Sequence, residues 1–364
     1  MMLALVSMES LVPPSHPLRA VKRLVDEVLR ELDPVFTGMY AAGGRPSVAP
    51  ERLLKASVLM ALYSVRSERL FCEQLGYNML FKWFLDMNML DEPFDATTFC
   101  HNRERLLEHD VARRFFAATV ERARREALLS GDHFSVDGTL IEAWGSTKSF
   151  RRKEGDTQDN KGFVDFRGET RTNDTHESKT DPEARLFRKG NGREAKLSHM
   201  GHVLIENRHG LVVDAEVTAA SGTAERDAAL VLLQRERKRR KKQARKGKKD
   251  ARRKNRKGRR FTVAADKAYD TRAFVRSCRE LRVTPHVAKN EHARRSSAID
   301  GRTTHHDGYA MSTKARMLSE KTFGWLKTYG GLRRTRFKGR RKTEQSFLLG
   351  FTALNLLRIA KLAA

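Results

Sequence analysis

The hydrophobic pattern of the chain changes near residue 131, and this change limits the possible architecture more than any other feature. Residues from about 17 to 130 carry apolar side chains at intervals of three and four, as helices do. From Phe134 onward, short apolar runs are bounded by polar residues, which is typical of strands. We therefore predict an all-α N-terminal domain over 1–130, followed by an α/β domain over 131–364.

Six runs in the second region are predicted as strands of a mixed sheet, and four segments as helices that flank it. The predicted strands are 134–137, 140–143, 202–206, 211–217, 261–265 and 283–287. The predicted helices are 224–234, 271–281, 313–328 and 343–362. Two polar segments, 145–198 and 235–260, interrupt this pattern, and we expect both to be mobile insertions outside the core.

The chain is strongly basic, with a formal net charge of +27 over 364 residues. Such a charge favours a polyanionic partner, because nonspecific attraction to phosphates grows with the number of cations. Segment 235–260 is either a sequence-independent contact to DNA, which we favour, or a solvated run of charge. Four arginines of the helical region are candidates for reading a DNA repeat: Arg66, Arg69, Arg103 and Arg105.

The cysteine spacing and the hydropathy pattern exclude several other classes of protein. Cys72, Cys100 and Cys278 are far apart and form no CxxC pair, so neither a zinc ribbon nor a disulfide framework is supported. No stretch approaches the roughly 18 apolar residues of a membrane span. We expect no membrane partner and a cytoplasmic location, associated with the nucleoid when the protein is bound to DNA.

Two of the apolar runs end in an aspartate. Asp137 ends the run from Phe134, and Asp266 ends the run from Phe261. In α/β sheets, functional groups collect at the carboxyl ends of strands. Two carboxylates about 4 Å apart repel by roughly 4 kcal/mol at an effective dielectric near 20, and a divalent cation compensates this repulsion. A pair of such cations supports phosphodiester hydrolysis or strand transfer.

A third acid, Glu320, lies in a segment predicted to be helical. On one helix, Arg316, Glu320 and Lys327 share a face, because they are four and seven residues apart. The carboxylate can then reach the metals while the two cations meet DNA phosphates. The alternative is an amphipathic helix in which the Arg316–Glu320 pair contributes a few tenths of a kcal/mol. Together with the two strand-end aspartates, the functional interpretation is favoured.

The last of these patterns resembles a known family. The spacing Arg316-x3-Glu320-x6-Lys327 is similar to the last catalytic block of bacterial insertion-sequence DDE transposases, in the superfamily with an InsH-type N-terminal domain. Val136-Asp-Gly-Thr resembles the first block of that family, and Ala265-Asp-Lys-Ala-Tyr-Asp resembles the second. The resemblance extends over almost the whole chain.

Two positions depart from the family pattern. Thr313 stands where the family often has a tyrosine, and Ala268 stands where glycine is commoner. Neither change removes one of the three acids. The departures therefore bear on catalytic efficiency more than on the type of reaction.

The resemblance implies an α/β fold with an RNase H-like mixed sheet flanked by helices. It implies that Asp137, Asp266 and Glu320 bind two divalent cations, Mg²⁺ or Mn²⁺ in its place, and that Arg316 and Lys327 are the accompanying catalytic cations. It further implies a DNA transposase that binds double-stranded terminal inverted repeats, cleaves their ends to 3′-hydroxyls and joins them to target DNA. Because two ends are handled together, a homodimer or a larger synaptic assembly is expected.

Two other functions stay open from the sequence. One is an RNase H-like nuclease that cuts DNA without joining it, and the other is a catalytically silent relic that binds DNA. Trp144 is a candidate for stacking on a base, with a core or rim position as the alternative. His199 and His202 are predicted as polar surface rather than a zinc site, since further ligands at zinc spacing are missing.

Overall fold

The computed structural model describes residues 7–39, 47–153, 171–190, 192–246, 260–291 and 296–363. Within them, the N-terminal region contains eight helices, so the predicted helical start is confirmed. Their bounds are Met8–Leu11 (α1), Leu18–Arg30 (α2), Asp33–Thr37 (α3), Pro50–Leu62 (α4), Glu68–Tyr77 (α5), Met79–Phe84 (α6), Ala96–Glu108 (α7) and Val111–Arg125 (α8).

Polar residues at the helix starts fix where three of these helices begin. The side chains of Ser67, Asn78 and Asp95 accept hydrogen bonds from backbone N–H groups in the first turns of α5, α6 and α7. These bonds satisfy donors that have no partner within the helix. The helices then pack around buried aromatic side chains, including Phe71 and Phe81, whose stacked rings are 5.5 Å apart.

The second region combines strands and helices. Its strands are His133–Glu142 (β1), Phe150–Arg152 (β2), His176–Ser178 (β3), Arg185–Phe187 (β4), Lys196–Glu206 (β5), Val212–Ala219 (β6), Phe261–Ala265 (β7) and Val283–Val287 (β8). Its helices are Ala224–Lys246 (α9), Arg272–Glu280 (α10), Gly301–Thr304 (α11), Asp307–Ala315 (α12), Met317–Thr328 (α13) and Arg340–Leu362 (α14).

The main sheet is mixed, and β1 lies at its centre. On one side β1 pairs antiparallel with β5, which pairs antiparallel with β6 and with the short β4. On the other side β1 pairs parallel with β7, and β7 pairs parallel with β8. The parallel strands are reached through the helical crossovers α9 and α10, as parallel pairing requires. Three antiparallel strands followed by two parallel ones form the RNase H-like arrangement that the sequence predicted.

Several predicted elements differ from the observed ones, and the strand predicted over 202–206 begins at Lys196 as β5. β1 is one continuous strand, although 134–137 and 140–143 were predicted as two. The predicted helix 313–328 is divided into α12 and α13 at Arg316. The helix predicted over 224–234 continues to Lys246 as α9. The last helix begins at Arg340 instead of 343.

The two segments predicted as mobile insertions are described only in part, since 154–170, 191 and 247–259 lie outside the described residues. The described part of 145–198 includes β2, β3, β4 and the first residues of β5. Phe150, Ala184 and Leu197 form a small buried cluster there, so these residues differ from the expectation of a segment outside the core. The described part of 235–260 is largely the second half of α9.

The C-terminal helix α14 joins the helical region to the sheet. Ala353, Leu356 and Ile359 pack in the core of the N-terminal helices, whereas Phe347 and Phe351 pack beneath the sheet. A helix that is apolar on several faces must be buried on all of them. The predicted domain boundary near residue 130 stays a prediction, and packing across it is continuous. Among the described helices, none combines the length and the apolar character that crossing a membrane requires.

Candidate active site

Asp137 lies near the middle of the central strand β1 and is held by two hydrogen bonds. The backbone N–H of Gly138 donates to its Oδ1 at 2.8 Å, and the hydroxyl of Ser319 donates to its Oδ2 at 2.7 Å. Burial raises the pKa of Asp137, and the negative charge of Asp266 adds to this rise, while the Ser319 bond opposes it. The Ser319 bond also fixes the start of α13 against β1.

Asp266 follows the last residue of β7, the strand parallel to β1. The pairing of the two strands matches Ser135 with Ala264, and continuing this register by two residues brings Asp266 beside Asp137. Its Oδ1 accepts a hydrogen bond from the N–H of Ala268 at 2.9 Å, which holds the carboxylate at the start of a short 3-10 turn. The two aspartates are therefore neighbours, although Asp137 lies within β1 and not at its end as the sequence predicted.

Glu320 lies in the first turn of α13, directly after Ser319, and its side chain is exposed. In the described part of the chain, no group of three or more His, Cys, Asp or Glu residues is arranged to hold a metal ion. The structure thus brings Asp137 and Asp266 together. It places Glu320 on the helix that contacts Asp137, without a direct contact to either aspartate.

The two predicted cations lie at opposite ends of α13. Arg316 is the junction between α12 and α13, although its backbone remains helical, with φ −55° and ψ −30°. Lys327 is half-buried in the last turn of α13. Burial lowers the pKa of Lys327, the cations Lys189 and Arg333 lower it further, and Asp137 opposes them. Lys327 is thus close to the acids, in a crowded positive environment.

Glu225 is a third carboxylate of this cluster that the sequence did not single out. It lies in the first turn of α9, where burial raises its pKa and the charges of Asp266 and Asp137 raise it further. Its carboxylate lies over β1, because a Cβ atom built on Gly138 would be only 2.8 Å from Glu225 Oε1. Acids are common in first helical turns, so its position carried no distinctive signal.

Lys189 supplies positive charge to the same cluster. Its ammonium group donates to the carbonyl of Gly138 at 3.3 Å. Its charge lowers the pKa of both Asp137 and Glu225, against the larger effect of burial. Lys189 belongs to the polar segment between β1 and β5, and the sequence did not identify it.

Two family models match the sequence of this chain. A model described as "Transposase domain (DUF772)" matches residues 6–105, and one described as "Transposase DDE domain" matches residues 129–356. The second match alone covers more than half of the chain. The chain belongs to the DDE transposase family. No curated protein matches this transposase significantly.

Several solved transposase structures are distantly similar to this family member. A piggyBac transposase synaptic complex with hairpin DNA aligns at 8% identity and a TM-score of 0.41, over 95% of this chain and 74% of the other. A Mos1 mariner paired-end complex with Mn aligns at 13% identity and a TM-score of 0.21, over 88% of this chain and 80% of the other. A Mos1 paired-end complex with Mg aligns at 11% identity and a TM-score of 0.19, over 88% of this chain and 81% of the other. All three TM-scores are below 0.5, so the family assignment rests on the sequence match.

The histidines weighed in the sequence have protein partners in the transposase. His199 Nε2 lies 3.0 Å from Asp181 Oδ2, with both side chains buried. His202 Nε2 lies 2.8 Å from the hydroxyl of Thr218, and burial lowers the pKa of His202 to about 4. Both are buried in the sheet region, so the expected polar surface position was wrong.

The aromatic and basic candidates have mixed outcomes. Trp144 is exposed and stacks with Arg334, whose guanidinium carbon is 5.6 Å from the ring centre, so it has a rim position. Trp83 is buried in the helical core. In the basic tract, Arg235 and Arg239 form ion pairs within the protein, at 2.8 Å to Glu216 and Asp214. These two cations are therefore used partly for packing α9 against β6.

Proposed function

We propose that this DDE transposase binds the terminal inverted repeats of its insertion sequence, cleaves their ends to 3′-hydroxyls and joins these ends to target DNA. One observation carries the proposal: Asp137, inside β1, and Asp266, directly after the parallel strand β7, are neighbours in register, and α13, which bears Glu320, is hydrogen-bonded to Asp137 through Ser319. Two of the three proposed ligands thus lie side by side, and the third is on a helix that contacts one of them.

The chemistry of these side chains fits divalent cations. Burial and mutual repulsion raise the pKa of Asp137 and of Glu225, even with the opposing charge of Lys189 nearby. A carboxylate cluster with this excess of negative charge suits hard cations such as Mg²⁺ or Mn²⁺, which prefer oxygen ligands. We assign Asp137, Asp266 and Glu320 as the ligands of two such cations. When bound, the cations would activate the attacking oxygen and stabilise the leaving one.

The protein's own residues position the DNA in two successive steps. In cleavage, a water oxygen bonds to phosphorus, the bond to the 3′-oxygen breaks, and that oxygen takes up a proton. In joining, the new 3′-hydroxyl loses its proton, bonds to a target phosphorus and displaces a 3′-oxygen of the target strand. Lys327 contacts a phosphate oxygen next to the reacting bond, Arg316 contacts the same strand, and Ser319 orients Asp137.

The partners follow from this chemistry. Double-stranded DNA supplies both the repeat and the target, and the high positive charge supports its binding. Two ends joined to one target require a homodimer or a larger synaptic assembly. A bacterial cytoplasmic location stays a prediction.

The test uses purified protein, a labelled duplex with the sequence that borders the gene, and a target plasmid, with Mg²⁺, Mn²⁺ or EDTA. We expect nicks that leave 3′-hydroxyls and joined products, both dependent on the cation. Asp137→Asn, Asp266→Asn and Glu320→Gln should each abolish both products while repeat binding persists. Asp227→Asn, an exposed acid in the first turn of α9, is the control and should remain active.

Each contrary outcome rejects a defined part of the proposal. Cleavage without joined products would favour the nuclease. Repeat binding with neither product, in the presence of either cation, would favour the silent relic. Cleavage retained by one acid variant would remove that residue from the assignment.

A further inference from the structure

A cavity of about 660 Å³ opens between the helical N-terminal region and the segment that joins α13 to α14. Its floor includes apolar side chains such as Phe99 and Leu332. Among the described residues that line it, cations outnumber carboxylates by six to two. The cations are Arg66, Arg103, Lys327, Arg333, Arg334 and Arg336, and the acids are Glu68 and Glu142.

Three of the cations have structural partners. Arg103 forms an ion pair with Glu68 at 2.5 Å, and Arg336 lies 3.5 Å from the same carboxylate. Arg103 also stacks on Phe337, at 4.6 Å from the ring centre. Arg334 donates to the carbonyls that follow the end of β1. These contacts connect α5 and α7 to the α13–α14 segment, so the two walls of the cavity are held together.

The other three cations, Arg66, Lys327 and Arg333, differ in this respect. In the part of the chain that the structure describes, their side chains make no hydrogen bond or ion pair with protein groups. Arg66 and Arg333 are exposed at the rim. Lys327 is half-buried. Of the two carboxylates that line the described part of the cavity, Glu142 forms an ion pair with Lys196 at 2.9 Å.

Half-buried positive charge that forms no ion pair is unfavourable, even with Glu142 and Asp137 within electrostatic reach of Lys327, so this rim suits an anionic ligand. Lys327 and Arg333 are close enough for each to disfavour the charge of the other, and Lys327 is also close enough to Asp137 to be stabilised by it. The unpaired cations therefore form a path that begins beside the acids and ends at Arg66, on the helical region. A path of separate positive charges suits a chain of phosphates better than a single small anion.

We propose that Arg66, Lys327 and Arg333 bind the phosphodiester backbone of the DNA end, so that the helical N-terminal region forms one wall of the channel leading to Asp137 and Asp266. This inference rests on the proposed function. It assigns Arg66 a phosphate contact in the catalytic channel, where the sequence suggested reading of a repeat by a separate domain. Phosphate contacts position DNA without specifying its sequence.

The strand geometry sets the reach of this contact. Glu142 at the rim is five residues from Asp137 along β1, about 17 Å at 3.4 Å per residue. Duplex DNA advances about 3.4 Å per base pair, so this length corresponds to roughly five base pairs. The bound phosphates should therefore lie within roughly five base pairs of the reacting bond.

The experiment scans the phosphates of the DNA end with single neutral methylphosphonates, in the duplex that borders the gene. Binding is measured without divalent cations for the wild-type protein and for Arg66→Ala, Arg333→Ala and Arg276→Ala. Arg276 is an exposed control on α10 that pairs only with exposed Glu280. Both test residues are exposed and unpaired, and unchanged thermal unfolding of the variants shows that they fold.

We expect neutral phosphates near the reacting bond to weaken wild-type binding about 5- to 20-fold. The Arg66→Ala and Arg333→Ala variants should each bind the native duplex more weakly, and the slope of log affinity against log salt concentration should fall by about 1. Each variant should also bind equally well whether the phosphate that its arginine contacts is native or replaced by a methylphosphonate. Arg276→Ala should reproduce the wild-type scan.

A wild-type pattern in both test variants would overturn the channel proposal while leaving the proposed function intact, provided that the duplex is still bound and cleaved. Failure of the wild-type protein to bind the duplex at any salt concentration would overturn both.

Discussion

Replacing Asp137 by asparagine should stabilise the metal-free protein at neutral pH. Continued from the β1–β7 register, Asp137 and Asp266 lie on adjacent strands, about 4.8 Å apart by sheet geometry. At an effective dielectric near 20, two charges at this separation repel by about 3.5 kcal/mol, as an upper limit. Asparagine removes this repulsion but weakens the hydrogen bond from Ser319, which costs about 1.5–3 kcal/mol for a charged acceptor. The expected net gain is therefore about 0.5–2 kcal/mol.

This gain should depend on pH in a defined direction. Burial raises the pKa of Asp137, so the folded protein holds this proton more tightly than the unfolded chain. Stability is therefore lost as pH rises from the unfolded value, about 3.9, through the raised folded value. The difference in unfolding free energy between Asp137→Asn and the wild-type protein should be small near pH 4. It should grow as pH rises from the unfolded pKa to the folded pKa of Asp137, and then stay constant to pH 7.5.

Thermal unfolding in EDTA measures the effect. With an unfolding entropy of about 2.1 cal/mol/K per residue, a gain of about 0.5–2 kcal/mol raises the Tm of a chain of this length by about 0.7–3 °C. Added Mg²⁺ should raise the Tm of the wild-type protein by mass action and that of the variant less. Asp270→Asn is the matched control: Asp270 accepts bonds from Asn290, Ser297 and Ala298, so this variant should lose stability.

Two results would refute the reasoning. One is a lower Tm of Asp137→Asn than of the wild-type protein in EDTA at pH 7.5, since this would mean that hydrogen bonding outweighs repulsion. The other is a Tm difference that does not change between pH 4 and pH 7.5, because the carboxyl would then have the same pKa in both states.

Three further predictions follow from single contacts. Gly138→Ala should lower the free energy of unfolding by about 1–3 kcal/mol, because its Cβ would be 2.7 Å from Glu225 Cγ. Adding Glu225→Ala should restore most of this stability in thermal unfolding, and strictly additive effects of the two changes would contradict the contact. Glu225→Gln should raise the Tm in EDTA, as relief of repulsion requires, and unchanged unfolding would place Glu225 outside the cluster. Asn355→Ala should cost about 2–4 kcal/mol, since it leaves the buried N–H and C=O of Val212 without their bonds at 3.0 and 2.7 Å; a loss below 0.5 kcal/mol would contradict this.

The parallel part of the sheet could be predicted closely because its sequence signal is local. The strands 261–265 and 283–287 are short apolar runs between polar residues, and the structure has the same bounds. Both strands are covered by helices and need no alternation of polar and apolar residues. In the structure these strands lie beside β1, and their register brings Asp266 next to Asp137. The sequence indicated only that both aspartates follow apolar, strand-like runs.

Other elements depend on contacts that are distant in sequence. Residues 134–137 and 140–143 are predicted as two strands, yet β1 continues through Gly138, where the missing side chain leaves room for Glu225. The helical segment predicted over 313–328 divides at Arg316, and α13 is bonded through Ser319 to Asp137, 182 residues away in sequence. Glu225 itself joins the acids only through the packing of α9 on the sheet. None of these three contacts leaves a periodic signal in the sequence.

The charges around Asp137 bear on the divalent cations proposed above. The protein carries a large positive excess, and Lys189 and Lys327 both lie within electrostatic reach of Asp137. If these lysines balanced the cluster, the pKa of Asp137 would fall below its ordinary value, as that of a carboxylate beside a cation does. It is raised instead, because burial outweighs the nearby positive charge. The lysines therefore do not offset the effect of burial on Asp137, and the divalent cations proposed above would.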